Sequence, residues 1–196
     1  MATAVAIEKC KDNGFAIVGT NNTYASTGVI GYYANELAKN DFIGIVMAGS
    51  PKGVAPHGGI DPLFGTNPLA VGFPTENEPL IFDMATAAMT WYGLVRAKML
   101  DEEIPDGIAI DIDGNPTKDP EKAMSGAILS FDKDYKGSGL SMMIEMLTGP
   151  LVGAVRPDPS GKWYCGNLFI AIDPALLIGK EEFKKNSSFL INKIKM

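Results

Sequence analysis

The run LAVGFPTENEPLIFDMA, Leu69 to Ala85, decides the fold. Its two apolar stretches, LAVGFP and PLIFDMA, read as strands, and the polar, turn-like TENE between them makes them antiparallel neighbours, because parallel strands need a long crossover. The sheet is therefore not the parallel kind. FIGIVMAG, Phe42–Gly49, is apolar at every position but its glycines, so this strand is covered on both faces. FAIVG at Phe15–Gly19, Ile108–Asp111 and GNLFIAID at Gly166–Asp173 supply further strands.

Helices alternate with these runs. Ala2–Asn13 carries Val5, Ile7 and Cys10, and Gly14 follows where a left-handed residue ends a helix. Val29–Lys39 reads as a helix with Thr27 as its candidate cap. Ala87–Leu100 is another. KGSGLSMMIEMLTGP leads through glycines into a helix with Leu140, Met143, Ile144 and Leu147 on one face, and a basic amphipathic helix runs from Glu181. The chain shows no repeat, low-complexity segment or linker. The expected architecture is one α/β domain over residues 1–196, with a mixed, largely antiparallel sheet flanked by helices.

Composition narrows the function. With 196 residues, 46% hydrophobic and 20% charged, the chain can bury a core without disulfides or metal. A net charge of -6 disfavours nucleic acid, which is bound by clustered Lys and Arg. Cys10 and Cys165 match no zinc or CxxC spacing, so no metal site is expected and a reducing, cytoplasmic setting is the simplest account. No apolar run is long enough to span a bilayer.

Several residues could carry chemistry. Between Ser50 and Pro68, SPKGVAPHGGIDPLFGTNP holds too many Pro and Gly residues for a regular element, and loops of that length are usually functional. It contains His57, the single histidine, which reads as an acid–base group or as a bystander. Lys136–Gly139 reads as an anion site at a helix N-terminus or as a tight turn with a surface lysine. GSGLSM fails the Rossmann fingerprint, since Met142 stands where the last glycine belongs. Asp83 caps Ala85–Thr86, orients a catalytic histidine or holds a cofactor. DIDGNPTKD has its glycine at the wrong position for a calcium loop and reads as a turn.

Taken in order, GSPKGVAPHGG, FGTNPLAVGFP, LIFDMATA, IPDGIAIDIDGNPTKDP and YKGSGLSMMIEMLTGPL resemble the type-2 malate/L-lactate dehydrogenase family. That resemblance implies a non-Rossmann NAD(P)-binding fold, NAD or NADP as cofactor, and hydride transfer between the nicotinamide and a 2-hydroxy or 2-oxo acid. It implies cofactor contacts at Ser50, at Ile81, Phe82, Asp83, Met84 and Ala85, and at Tyr135 and Lys136. It also implies that Asp83 is the carboxylate partnering a catalytic histidine, and that two copies form a homodimer.

The resemblance has two gaps. Family members carry a histidine in a motif like SNHFG just ahead of the glycine and aromatic pair that Gly31, Tyr32 and Tyr33 resemble, whereas this chain has Tyr24-Ala25-Ser26. The family's N-terminal helix with its SHG motif, and part of its C-terminus, also have no counterpart. The expectation is a truncated or split dehydrogenase that works with a separate N-terminal segment; the alternative is a non-catalytic nucleotide-binding or assembly subunit.

Overall fold

Leu69–Phe73 and Leu80–Met84 pair antiparallel, with Leu69 opposite Met84 and Phe73 opposite Leu80. The hairpin written into Leu69–Ala85 is therefore formed. The computed structural model of the chain describes residues 1–23, 26–154 and 165–195. In chain order the elements are α1 (Ala2–Asn13), β1 (Phe15–Thr23), α2 (Gly31–Lys39), β2 (Ile43–Ala48), β3 (Leu69–Phe73), β4 (Leu80–Met84) and α3 (Trp91–Leu100). Then come β5 (Ala109–Ile110), α4 (Pro120–Ser125), β6 (Ala127–Ile128), α5 (Tyr135–Thr148), β7 (Cys165–Ile172) and α6 (Lys180–Lys195).

Among the described residues five strands form one sheet in the order β1-β7-β2-β3-β4, and each of its pairings is antiparallel. Helices flank it on both sides. On one face α1 and α2 bury Ala6, Cys10, Leu37 and Phe42 against Val46, Ala70 and Phe169. On the other, α5 sets Ile144, Leu140 and Leu147 against Met47 and Leu168. Alternate residues of β2 thus enter opposite cores, which is why its sequence is apolar throughout. A smaller cluster of Val54, Leu94, Ile104, Ala109 and Ile128 joins α3 and α4 to the β5–β6 pair.

Local chemistry explains most boundaries. Gly14 takes φ 74° and returns its N–H to the Cys10 carbonyl, ending α1 as its position predicted. Asp111 accepts the N–H groups of Asp113 and Asn115 at 3.0 and 2.9 Å, so DIDGN closes as a turn built on that carboxylate.

Three boundaries depart from expectation. Thr27 does not cap α2, which starts at Gly31 without a side-chain cap; its hydroxyl instead donates to Asn167 Oδ1 at 2.9 Å. α3 begins at Trp91 rather than Ala87, with the Thr90 side chain accepting from Gly93 N–H. Ala87 bridges to Ser130 and the Ala88 N–H donates to Leu129, so extended pairing overrides helix propensity there. β1 also continues past Gly19 to Thr23, because β7 pairs along most of that length.

Leu37 is completely buried between α2 and the sheet. Leu37→Ala should lower the unfolding free energy by about 2–5 kcal/mol in urea denaturation, with the slope against denaturant unchanged.

Candidate functional site

The antiparallel register determines which residues meet. Thr20 and Ala48 both lie opposite Asn167, Met47 lies opposite Leu69, and Leu69 lies opposite Met84. The ends of β1, β2 and β4 and the starts of β3 and β7 therefore share one edge of the sheet. Ser50 follows β2 there, Thr66 and Asn67 precede β3, and Ala85 and Thr86 follow β4.

Asn67 ties this edge together. Its side chain is fully buried, and Nδ2 donates to Glu145 Oε2 at 2.7 Å and lies 3.2 Å from both the carbonyl and the hydroxyl of Ser141. Its Oδ1 accepts the Ser50 N–H at 3.4 Å, and its carbonyl accepts the Thr86 hydroxyl at 3.0 Å. The Ser50 and Thr66 hydroxyls are 3.1 Å apart. Ser50, the end of β4 and helix α5 are thus linked through one asparagine.

Asp83 belongs to the other face. It lies opposite Ala70, which packs beneath α2, and cross-strand partners point the same way. Its Oδ2 accepts the Gly31 N–H at 2.7 Å. It does not cap Ala85–Thr86, because the Thr86 N–H goes to the Thr66 carbonyl at 3.0 Å. Asp83 instead serves the first N–H of α2, a group that has no partner within its own helix. Phe82 is half exposed on the outer strand, and Ile81 and Met84 are partly buried.

Tyr135 and Lys136 form the first turn of α5, and the Tyr135 ring is 62% exposed. Lys136 is five residues before Ser141, about 8 Å along the helix axis. The expectation of unpaired N–H groups here needs correction. Tyr135 N–H donates to Asp134 Oδ1 at 2.7 Å and Gly137 N–H to Asp132 Oδ2 at 2.9 Å, so two carboxylates occupy those amides.

The Asp132 carboxyl lies below its usual range. Desolvation acts upward on it, but the N–H groups of Asp134 and Gly137 and the Ser130 hydroxyl together outweigh that. A lowered carboxyl adds stability above its unfolded value and loses it as pH falls through the folded one. Any anion held at this turn therefore relies on the Lys136 ammonium rather than on those two amides.

His57 reaches the same turn. Its N–H donates to Ser138 Oγ at 3.0 Å, and its Nε2 stands 3.8 Å from Asp134 Oδ1. Spacing gave no sign of this, because 81 residues separate His57 from Ser138. A second polar cluster also went unread. Asn167 is buried and its Nδ2 donates to the Thr20 and Thr23 hydroxyls at 2.9 and 3.2 Å, joining the end of β1 to Thr27. A lone asparagine in the apolar run GNLFIAI was its only signal. Of the residues standing where the family carries its histidine, Tyr24 and Ala25 lie outside the described residues.

A surface concavity lined by Lys98, Asp101, Glu102, Glu103, Asp119 and Glu121 is strongly acidic, which disfavours a dinucleotide's pyrophosphate. It shares no residue with the sheet edge. Among the described residues no helix is long and apolar enough to cross a membrane.

Comparison with known proteins gives consistent matches. The sequence profile for malate/L-lactate dehydrogenase matches residues 1–196. The malate/(S)-sulfolactate dehydrogenase of Methanothermus fervidus is 43% identical over 97% of this chain and 58% of its own length. Delta(1)-pyrroline-2-carboxylate reductase 1 of Burkholderia ambifaria is 36% identical over 90% of this chain and 54% of its own. The solved sulfolactate dehydrogenase of Methanocaldococcus jannaschii superposes with a TM-score of 0.85 at 38% identity, over 99% of this chain and 58% of that one. The chain thus spans a little over half the length of the proteins it matches.

Proposed function

The chain belongs to the malate/L-lactate dehydrogenase family, and on that premise we propose that it binds NAD or NADP along the sheet edge and the first turn of α5. In this reading residues 1–196 form a single nucleotide-binding domain. Ser50, the Ile81–Ala85 strand end, Tyr135 and Lys136 are the contacts. The observation that carries the reading is the link through Asn67 from Ser50 and Thr86 to α5.

The residues present suit a dinucleotide through their side chains. Lys136 offers a cation to a phosphate and the exposed Tyr135 ring offers a flat apolar face, whereas the amides beside them already carry Asp132 and Asp134. When bound, the nicotinamide supplies hydride transfer to or from the carbon of a 2-oxo or 2-hydroxy acid. Asp83, held at the start of α2 by the Gly31 N–H, is suited to orient a proton donor brought to that helix start. The substrate is a small 2-oxo or 2-hydroxy acid, and a reducing cytoplasm agrees with cysteines that are few and buried.

Lys136→Ala should weaken NADH and NADPH binding by roughly 1–2 kcal/mol, the worth of a charge-assisted hydrogen bond. Fluorescence titration of the variant beside the unmutated chain measures this. An unmutated chain that binds neither cofactor refutes the proposal.

The same reading makes the chain a homodimer. Met142, Met143 and Met146 on α5 are exposed, and so are Phe189, Leu190 and Ile194 on α6, two apolar patches of the kind that association covers. Light scattering at micromolar concentration should give twice the chain mass, and a clean monomer contradicts it.

A further inference from the structure

We propose that Asn67 and Glu145 form a positioning joint that sets α5 against the sheet edge and so keeps Ser50, the β4 end and the α5 first turn in register as one site; its effect on cofactor binding rests on the function proposed above. Neither residue is placed against cofactor or substrate. They act through what they hold.

Three observations support this. The Asn67 amide has two N–H groups, and three acceptors surround its nitrogen: Glu145 Oε2 at 2.7 Å and the two Ser141 oxygens at 3.2 Å. The short bond to a carboxylate makes Glu145 the dominant anchor on α5. The remaining polar atoms face other elements, Oδ1 to the Ser50 N–H and the carbonyl to the Thr86 hydroxyl. One fully buried side chain therefore contacts two segments distant from its own in sequence.

The backbone gives independent support. Asn67 has φ 38°, a left-handed conformation that is uncommon outside glycine, and Pro68 restricts it further. Asparagine tolerates this conformation better than most residues, and the bonds it makes hold it there. Those bonds run to α5, Ser50 and Thr86. Glu145 is nine residues along α5 from Lys136, about 13 Å of helix. Fixing Glu145 therefore fixes where the first turn stands relative to Ser50.

The test uses the full chain with Asn67→Ala, Glu145→Ala and Glu145→Gln. Hydrogen exchange without cofactor reads the joint itself, and NADH titration reads its consequence. Glu145→Ala and Asn67→Ala should speed exchange around Ser50, Thr86 and Ser141 while leaving α1 and β1 unchanged, and should raise the NADH dissociation constant at least tenfold. Glu145→Gln keeps an accepting oxygen but trades a charge-assisted hydrogen bond for a neutral one, so it should lose clearly less than Glu145→Ala on both readouts. Should Asn67→Ala fail to fold, the two Glu145 variants decide the matter alone. Unchanged exchange at all three segments in Glu145→Ala, or equal loss in Glu145→Ala and Glu145→Gln, overturns the joint. If the unmutated chain binds no NADH while exchange responds as expected, the cofactor reading fails and the joint stands.

Discussion

The purified chain, mixed with NADH or NADPH and a panel of 2-oxo acids, should oxidise the cofactor slowly or not at all. General acid catalysis typically contributes about 10²–10⁴-fold, and a deficit of that size is expected here. By the resemblance, the family's histidine position falls on Tyr24-Ala25-Ser26 in this chain. Asp83 accepts a hydrogen bond from the Gly31 amide, so one of its oxygens is already engaged as an acceptor. The single histidine lies at the first turn of α5, on the opposite face of the sheet, with its imidazole toward Asp134. Repeating the assay with His57→Ala separates the outcomes. Robust turnover that survives the change shows that another residue of the chain supplies the proton, and robust turnover lost with it makes His57 the catalyst.

Gly65→Ala should damage both stability and the site. A β-carbon there would overlap the Ser50 carbonyl oxygen and come within 2.7 Å of Asn67 Oδ1, so backbone or the Asn67 amide must move. Overpacking of this kind costs about 1–3 kcal/mol, and the upper end is expected because the nearest atom is main chain. One displaced atom, Asn67 Oδ1, is the acceptor of the Ser50 N–H, and the other is the carbonyl oxygen of Ser50 itself, so NADH affinity should fall by more than Lys136→Ala lowers it. Thermal unfolding and fluorescence titration of the same preparation check both effects. A variant of unchanged stability that binds NADH normally shows that the Ser50–Asn67 contact does not matter.

Much of the sheet was legible because its strands are written in apolar runs with turn chemistry between them. LAVGFPTENEPLIFDMA gave a hairpin, and FIGIVMAG gave a strand covered on both faces, since each follows from local composition. Failures occurred where tertiary pairing overrode local preference. Ala87 and Ala88 have helical composition but are drawn into extended pairing with Leu129 and Ser130. Thr27 has a capping side chain but gives its hydroxyl to Asn167, 140 residues away. The short helix α4 carried a readable signal that was passed over: Asp119 caps the Glu121 and Lys122 amides, and Pro120 occupies the first turn.

The site was less legible than the fold. Motif resemblance singled out Ser50, Asp83, Tyr135 and Lys136, but it could not say that Asp83 faces α2 while Tyr135 and Lys136 start the helix on the other side. Sequence also presented Lys136–Gly139 as an anion site at a helix N-terminus, with nothing local to show that Asp132 takes the Gly137 amide and Asp134 the Tyr135 amide just ahead of it. Asn67 stood within GTNP with nothing local to mark it as the residue contacting Ser50, Thr86 and Glu145. Those contacts span up to 78 residues and exist only in the folded chain.

The most direct test of the account is an NMR titration of the isotope-labelled chain with NADH and with NADPH, followed through backbone amide shifts. The account predicts that one of the two cofactors shifts Ser50, Ala85, Tyr135 and Lys136 together and saturably, with α1 silent. Saturating amounts of both that leave those four amides unmoved, or that move only the acidic surface around Lys98 and Glu121, would contradict it.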